Sequence, residues 1–532
     1  MNVQRVFSKD NIRKYSLFLF PLLVFAIYAA LPTRDFYWDA LIYSQFIEDS
    51  PRFGAHLLHP NHLFYNVLGY LAFHAAQNLG FETRAIYVLQ LVTIVFSALS
   101  ALVFFKIARQ AFQSEYLSFW LAALFAFGAA WWRFSIDADV YPISVFFLLV
   151  SFYFLLPGKR PRPFLIAITH SFAMFFHELA VLFFPVAALG LIFQTVSAER
   201  KRRISIVLQY ALAAFLLTFG TYCLSFYLVA GAFDVKAFIA WTTSFAPDSE
   251  ISWNAWRSLT LTLRGHRQMF FDGSSRLFDR NALTVVLLIA FFASALFFAF
   301  VFLKNLKEIK IWRRAVAERK IYREPLFLLA LAWIIPYLLF LFFFIPQNTF
   351  YRLFYFPAVI LLIALVLAPF ENSGDDGGAK KRRWRLAALV AALCLYNFLF
   401  YIYPNARVRE NTPLALAFEA NRVWSEKKAI VFHVPNRAAF DLLDTNNRLV
   451  KYFNPATGWK PLNFTTLEEF ESEIRALEAG GAAIWLDAAA ADELAANPQA
   501  AAWLANNSRA ARELSLPAHR MKYVQITPNP PK

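Results

Sequence analysis

The sequence predicts an α-helical polytopic membrane protein of about eleven transmembrane helices, followed by a small soluble α/β domain. Three observations carry this prediction. Of 532 residues, 59% are hydrophobic and the mean hydropathy is +0.45, too apolar for a soluble protein of this size to cover. Apolar runs alternate with short loops, and the basic residues concentrate in every second one. After Tyr403 the composition changes abruptly to mixed polar sequence.

The expected spans are, in order, Leu17 to Pro32, Ala85 to Phe105, Tyr116 to Trp132, Ile143 to Leu156, Phe164 to Phe176, Leu179 to Gln194 and Ile204 to Gly231. Leu283 to Leu303, Leu326 to Ile345, Leu353 to Phe370 and Leu386 to Tyr403 complete them. Phe164 to Gln194 is divided in two because His177 and Glu178 lie in its middle. A charge at the bilayer centre costs about 2.5 to 3.5 kcal/mol on insertion scales, so a turn at the outer face is cheaper. The basic N-terminus resembles a signal peptide, but without a convincing cleavage site before Arg34 it reads as a retained first span.

Starting with the N-terminus inside places Lys106/Arg109, Lys159/Arg160/Arg162, Arg200 to Arg203, Lys304 to Arg323 and Lys380 to Arg385 all on the cytoplasmic side. Counting Leu63 to Leu79 as a span would put those loops outside, so it is assigned as an interfacial or half-buried helix. The formal net charge of +16 is therefore largely a topology signal, and nucleic acid is not an expected partner. The location that follows is the cell inner (plasma) membrane, multi-pass, with the C-terminal domain on the outer, periplasmic side.

Residues 1–403 form the membrane domain and 404–532 the soluble one. In the latter, Ala429 to Val434, Ala482 to Leu486 and Tyr523 to Ile526 read as strands between helical stretches. The acidic, Gly-rich Glu371 to Gly378 reads as a flexible cytoplasmic linker. Cys223 and Cys394, both in apolar runs, offer no disulfide framework or cysteine metal site.

Candidate chemistry collects on the outer side. Asp39, in the run Trp38 to Tyr43 just beyond the first span, has aromatic neighbours that would desolvate it and raise its pKa toward that of a useful base. A solvated loop aspartate beside an aromatic belt is the plain alternative, and Asp35 is the competing carboxylate. His56, His59 and His62 lie within seven residues, a density that admits a divalent metal without establishing its geometry. Asp137 and Asp139 sit with Tyr141 in a short loop on the same face, where capping of the next helix would explain one of them. Arg257, Arg264, Arg267, Arg276 and Arg280 lie in an outer segment against the insertion rule, around an amphipathic stretch from Trp253 to Phe271.

The order of W-D-A-L-I-Y (38–43), H-P-N-H-L-F-Y-N (59–66), a span, a basic turn, a span and D-A-D-V-Y-P (137–142) resembles the GT-C superfamily of lipid-phosphate-sugar-dependent membrane glycosyltransferases, which includes protein mannosyltransferases and aminoarabinose transferases. Asn348 to Tyr355 resembles that group's Arg-aromatic entry to a late helix. The resemblance is closest over roughly the first 180 residues. It implies a GT-C-like fold with a catalytic first outer loop at 33–84, in which Asp39 matches the acidic residue. Relatives often carry a second acid next to it, whereas here Ala40 follows. Asp139 matches the acid between the third and fourth spans.

The activity so implied is inverting transfer of one sugar from a polyprenyl-phosphate carrier to a glycan, lipid or protein acceptor, with Asp39 and Asp139 catalytic. Tyr43, His59, His62, Asp137, Arg267 and Arg352 are the candidate substrate-binding residues, with the arginines meeting phosphate or membrane lipid headgroups. No cofactor is called for with certainty; a divalent metal ion on His59 and Asp139 is the one the pattern admits. A transporter or flippase of lipid-linked sugars is the alternative, as is a non-catalytic membrane scaffold. A transporter would carry inverted repeats and midplane charges, whereas no repeat is visible and charges cluster at span ends.

Overall fold

In the first helices the apolar side chains have two jobs, packing against one another and facing lipid, so length and composition decide what spans. The computed structural model of the chain describes residues 9–244, 251–273, 289, 293, 324–372, 376–408, 411–424, 428–434, 448–464, 466–515 and 520–527. Two compact units divide at Pro404/Asn405.

In the first unit, α1 (Lys9–Ala30) is followed by α2 (Trp38–Glu48), α3 (Tyr65–Asn78), α4 (Ala85–Phe112) and the pair α5 (Glu115–Phe127) and α6 (Ala129–Ser135). Then come α7 (Tyr141–Leu155), α8 (Pro163–Phe176), α9 (Phe184–Gln194), α10 (Arg200–Ala230), α11 (Val235–Thr243) and α12 (Ala255–Phe270). After the segment outside the described residues, α13 (Pro325–Phe343), α14 (Phe356–Asn372) and α15 (Asp376–Asn397) close the unit. Among the described residues, the helices at Ala85–Phe112, Arg200–Ala230, Pro325–Phe343 and Trp384–Asn405 are long and apolar enough to cross a bilayer singly. The α5/α6 pair passes the same test together, bent by 62° at Gly128. A Cβ there would stand 2.6 Å from Phe356 Cζ and 3.0 Å from the Met269 carbonyl, so the bend needs the missing side chain. The remaining expected spans coincide with shorter apolar helices, apart from Leu283 to Leu303, of which only residues 289 and 293 are described; Lys304 to Arg323, Arg276 and Arg280 lie outside the described residues.

The helix α3 rises only about 21 Å over 14 residues, too little for a hydrocarbon core of about 30 Å. It packs on α2 and α4 at Gly69, where a Cβ would lie 2.5 Å from Ile47 and 2.7 Å from Leu89. The expected break in Phe164 to Gln194 is present: α8 ends at Phe176, and a 3-10 turn, Glu178–Phe183, leads into α9. One expectation is corrected. Glu371, Asn372 and Asp376 to Gly378 belong to helix ends, and the basic run Lys380 to Arg385 lies within α15, because Ala, Lys and Arg continue a helix that the two glycines only weaken.

The second unit holds α16 (Thr412–Val423), β1 (Ala429–His433), β2 (Thr457–Pro461), α17 (Leu467–Ala479), β3 (Ala483–Asp487), α18 (Ala488–Ala495), α19 (Pro498–Asn507), β4 (Ser508–Ser515) and β5 (Arg520–Ile526). Its sheet runs β2-β1-β3-β5-β4, with β1 parallel to β2 and β3, and β5 antiparallel to β3 and β4. The continuous apolar run of β1 is buried throughout, as a central parallel strand requires. Phe470 and Ile474 of α17 close the core over Ile430, Phe432, Ile484 and Leu486.

Candidate active site

The two loops expected on the outer side meet at the end of α1. The amide of Thr33 donates to the Ile136 carbonyl at 3.1 Å, and Gln90 Nε2 of α4 donates to both Thr33 and Ile136 carbonyls at 3.0 Å. Thr93, one turn further along α4, accepts from the Asp139 amide at 3.2 Å and donates to the Asp139 carbonyl at 2.9 Å. Two polar residues on one face of an apolar helix therefore hold the loops that carry Asp39 and Asp139.

Asp39 stands in the first turn of α2, where the helix dipole favours its anion. Burial opposes this and prevails: together with the neighbouring Asp137 charge it pushes the carboxyl up to about 6. Burial, then Asp137 and Asp39, push Asp139 well above the ordinary carboxylate range, against the Tyr141 amide, which donates to its Oδ1 at 3.2 Å. Asp137 is fully buried and pairs with Arg133 at 2.7 Å; its oxygens also accept from the amides of Tyr37 at 2.9 Å and Ala138 at 2.8 Å. Asp137, expected among the substrate contacts, is enclosed with both carboxylate oxygens bonded to the protein.

Tyrosines and histidines wall this acidic cluster. Tyr43 lies edge-on to His62 at 4.7 Å and to Tyr65 at 4.9 Å, and His59 stacks on His62 at 4.1 Å. Burial lowers His59 to about 4 and, with His59 and His177 nearby, takes His62 well below its usual value, so both rings are neutral near pH 7. As neutral rings they can give or take hydrogen bonds but carry no charge for an anion. The turn bearing them is anchored by the Tyr222 hydroxyl, which donates to the Pro60 carbonyl at 2.8 Å, and by the Phe64 amide on Phe175 O at 3.0 Å. Among the described residues no three His, Cys, Asp or Glu side chains are grouped to hold a metal ion, so His59 and Asp139 do not form a ligand set by themselves.

The 3-10 turn Tyr351–Phe354 reaches the same cluster. Phe350 stacks on Tyr141 at 4.7 Å and meets Tyr37 edge-on at 5.2 Å; Tyr351 meets Tyr141 at 5.6 Å and His177 at 5.6 Å. Arg352 has no exposed surface: Nη1 donates to the Tyr355 hydroxyl at 2.7 Å and Nη2 to the Pro346 carbonyl at 2.6 Å. This differs from the open phosphate-binding fork expected of it, because the guanidinium is enclosed against Gly265 of α12. Arg267 is half exposed, 4.0 Å from Asp272, and no contact ties it to the acidic cluster. With Arg257 and Arg264 it lies on the exposed face of α12, opposite the small buried residues Ser258, Thr262 and Gly265.

The structure thus brings together Asp39, Tyr43, His59, His62, Asp137 and Asp139, places Arg352 one residue beyond Tyr351 of the wall, and leaves Arg267 apart. Arg133, Gln90, Thr93, Tyr65 and Tyr351 complete the site unforeseen. Their signal was the isolated polar group in an apolar run, such as Arg133 after Trp131 and Trp132.

Neither a protein-family model nor a curated protein matches the sequence. By fold, the chain is similar to ArnT from Cupriavidus metallidurans. The structure bound to undecaprenyl phosphate aligns over 97% of this chain and 99% of that one at a TM-score of 0.52 and 11% identity. The apo structure aligns over 98% and 100% at 0.53 and 12%. The fold is like that of ArnT, with a mostly helical unit and a small mixed sheet toward the C-terminus.

Proposed function

We propose that this chain, GT-C-like in fold, is a membrane glycosyltransferase that moves one sugar from a polyprenyl-phosphate carrier to an acceptor at the outer face of the plasma membrane. The observation that carries this reading is Asp39: a carboxyl just past the first span, poised at about 6 in a cluster with Asp139 and a wall of tyrosines and histidines. That a protein of similar fold binds undecaprenyl phosphate supports a lipid-phosphate donor.

In the reaction, Asp39 takes the proton from an acceptor hydroxyl or amine as that atom bonds to the anomeric carbon. The bond from that carbon to the phosphate oxygen breaks with its electron pair, and the polyprenyl phosphate leaves as the anion. One displacement inverts the configuration. A base near its working pH contributes typically ~10² to 10⁴-fold. Tyr43, His59 and His62 offer hydrogen bonds to sugar hydroxyls, and Asp139 orients the acceptor. The exposed face of α12, with Arg257, Arg264 and Arg267, lies apart from the acidic cluster and offers cations that draw anionic carrier lipid to this side of the protein.

The test is Asp39→Asn, which keeps size and removes charge and basicity. Lipid-linked sugars and surface glycans of a deletion strain, compared by mass spectrometry, identify the product. Complementation by Asp39→Asn should restore less than about 1% of it at wild-type protein level. Restoration to near wild type would overturn the assignment.

A further inference from the structure

Resting on the assignment of Asp39 as the base, we propose that Arg133 and Asp137 are a positioning pair that locks the two acid-bearing outer loops into one rigid unit. Arg133 sits on α6, immediately after the 62° bend, and Asp137 follows one turn later. From there both reach across to the first loop. The Arg133 Nη2 donates to the Asp35 carbonyl, while Asp137 Oδ2 accepts both Arg133 Nη1 at 2.7 Å and the Tyr37 amide at 2.9 Å. Tyr37 is the residue that caps α2, two positions before Asp39. The side chain of Asp137 therefore fixes where α2 begins, while its other oxygen, on the Ala138 amide at 2.8 Å, fixes the backbone leading to Asp139.

Burial gives the pair its rigidity. Asp137 has no exposed surface and Arg133 is 6% exposed, so neither charge can exchange its partner for water. Breaking one side leaves an uncompensated buried charge, and replacing both with apolar groups does not. The groups facing Asp39 in this region are Asp137 and Asp139 from the second loop, Tyr37 and Tyr43 from its own segment, Tyr65 of α3 and Tyr141 of α7, with Arg133 balancing Asp137 and Tyr351 of the late turn behind Tyr37, Tyr43 and Tyr141. A positioning pair that also sets the local field has an electrostatic signature that a merely structural pair lacks. Removing the Asp137 charge must lower the Asp39 titration, because beside burial that charge is what raises it.

The experiment uses the purified full-length protein in detergent and follows the protonated-carboxyl infrared band that Asp39→Asn abolishes. Asp137→Asn should lower its midpoint by roughly half a unit or more. The double variant Arg133→Met/Asp137→Leu removes both charges and the acceptor of the Tyr37 amide, and remains folded if a single variant does not. In it, hydrogen exchange across residues 35 to 39 should quicken at least about tenfold while exchange in the spans stays unchanged. A midpoint that stays put or rises in Asp137→Asn, or unchanged exchange in the double variant, would overturn the pair's role. Both measurements work without turnover, so their failure is distinct from a failure of Asp39 as base, which only transfer by Asp39→Asn reveals.

Discussion

At Asp39 two opposing influences act on one carboxyl. A first-turn position stabilises the anion by typically 0.3 to 1 kcal/mol at exposed sites, and burial beside Asp137 outweighs it. A general base works as its anion, so transfer should fall as pH drops through about 6 and level off above it, with a slope of about one decade per pH unit on the acid limb. A pH profile of initial rate checks this, and a flat profile between pH 5 and 7 would remove Asp39 from the chemical step. Asp139 differs because its Oδ1 already accepts the Tyr141 amide and starts α7. Asp139→Asn should therefore lower transfer less than Asp39→Asn does, and a comparable loss would mean that Asp139 shares the proton. For Arg352, enclosure changes what substitution reads. Arg352→Ala leaves the Pro346 carbonyl and Tyr355 hydroxyl without their donor, a cost of about 2 to 4 kcal/mol, so thermal stability in detergent should fall together with activity.

Among the elements, the apolar spans, the break at His177 and Glu178 and the three most apolar strands were legible because each is a local property of its own stretch of sequence. The strands β2, reading Thr-Gly-Trp-Lys-Pro, and β4 were not, since they are strands through their neighbours rather than through alternation. The acidic loops and their partners divide the same way. Asp39, Asp139 and the histidines stand out in polar loops, whereas Gln90 and Thr93 act only because the fold sets one face of α4 against both loops. Enclosure of Arg352 was invisible for a related reason: its lid is a glycine on another helix. At Gly265 an added Cβ would stand 2.2 Å from Arg352 Nε, so Gly265→Ala must displace either the guanidinium or α12. Overpacking of this kind costs about 1 to 3 kcal/mol. A lowered unfolding temperature is expected, with loss of transfer although no acid has been touched, and a neutral result would show that α12 can ride outward freely.

On the scale of the whole molecule, the placement of the basic residues makes one prediction that needs no substrate. Several of the helices are short for a bilayer, among them α7, α8 and α9, so length alone cannot fix which loops lie on which side. Charge can, because Lys159, Arg202 and Lys381 resist translocation and two successive loops cannot share a side. Single cysteines introduced in a background lacking Cys223 and Cys394 should therefore divide into two sets. Those at 159, 202 and 381 should react with a membrane-impermeant maleimide only after the membrane is opened. Cysteine at 267, on the exposed face of α12, and at 460, in the edge strand β2, should react in intact cells. The pair of positions 38 and 460 is decisive, because Trp38 is exposed beside Asp39, and every span after it must be counted correctly for the two to label from one side. Labelling of 38 and 460 from opposite sides would break the parity of the span count and put the C-terminal unit on the side opposite Trp38.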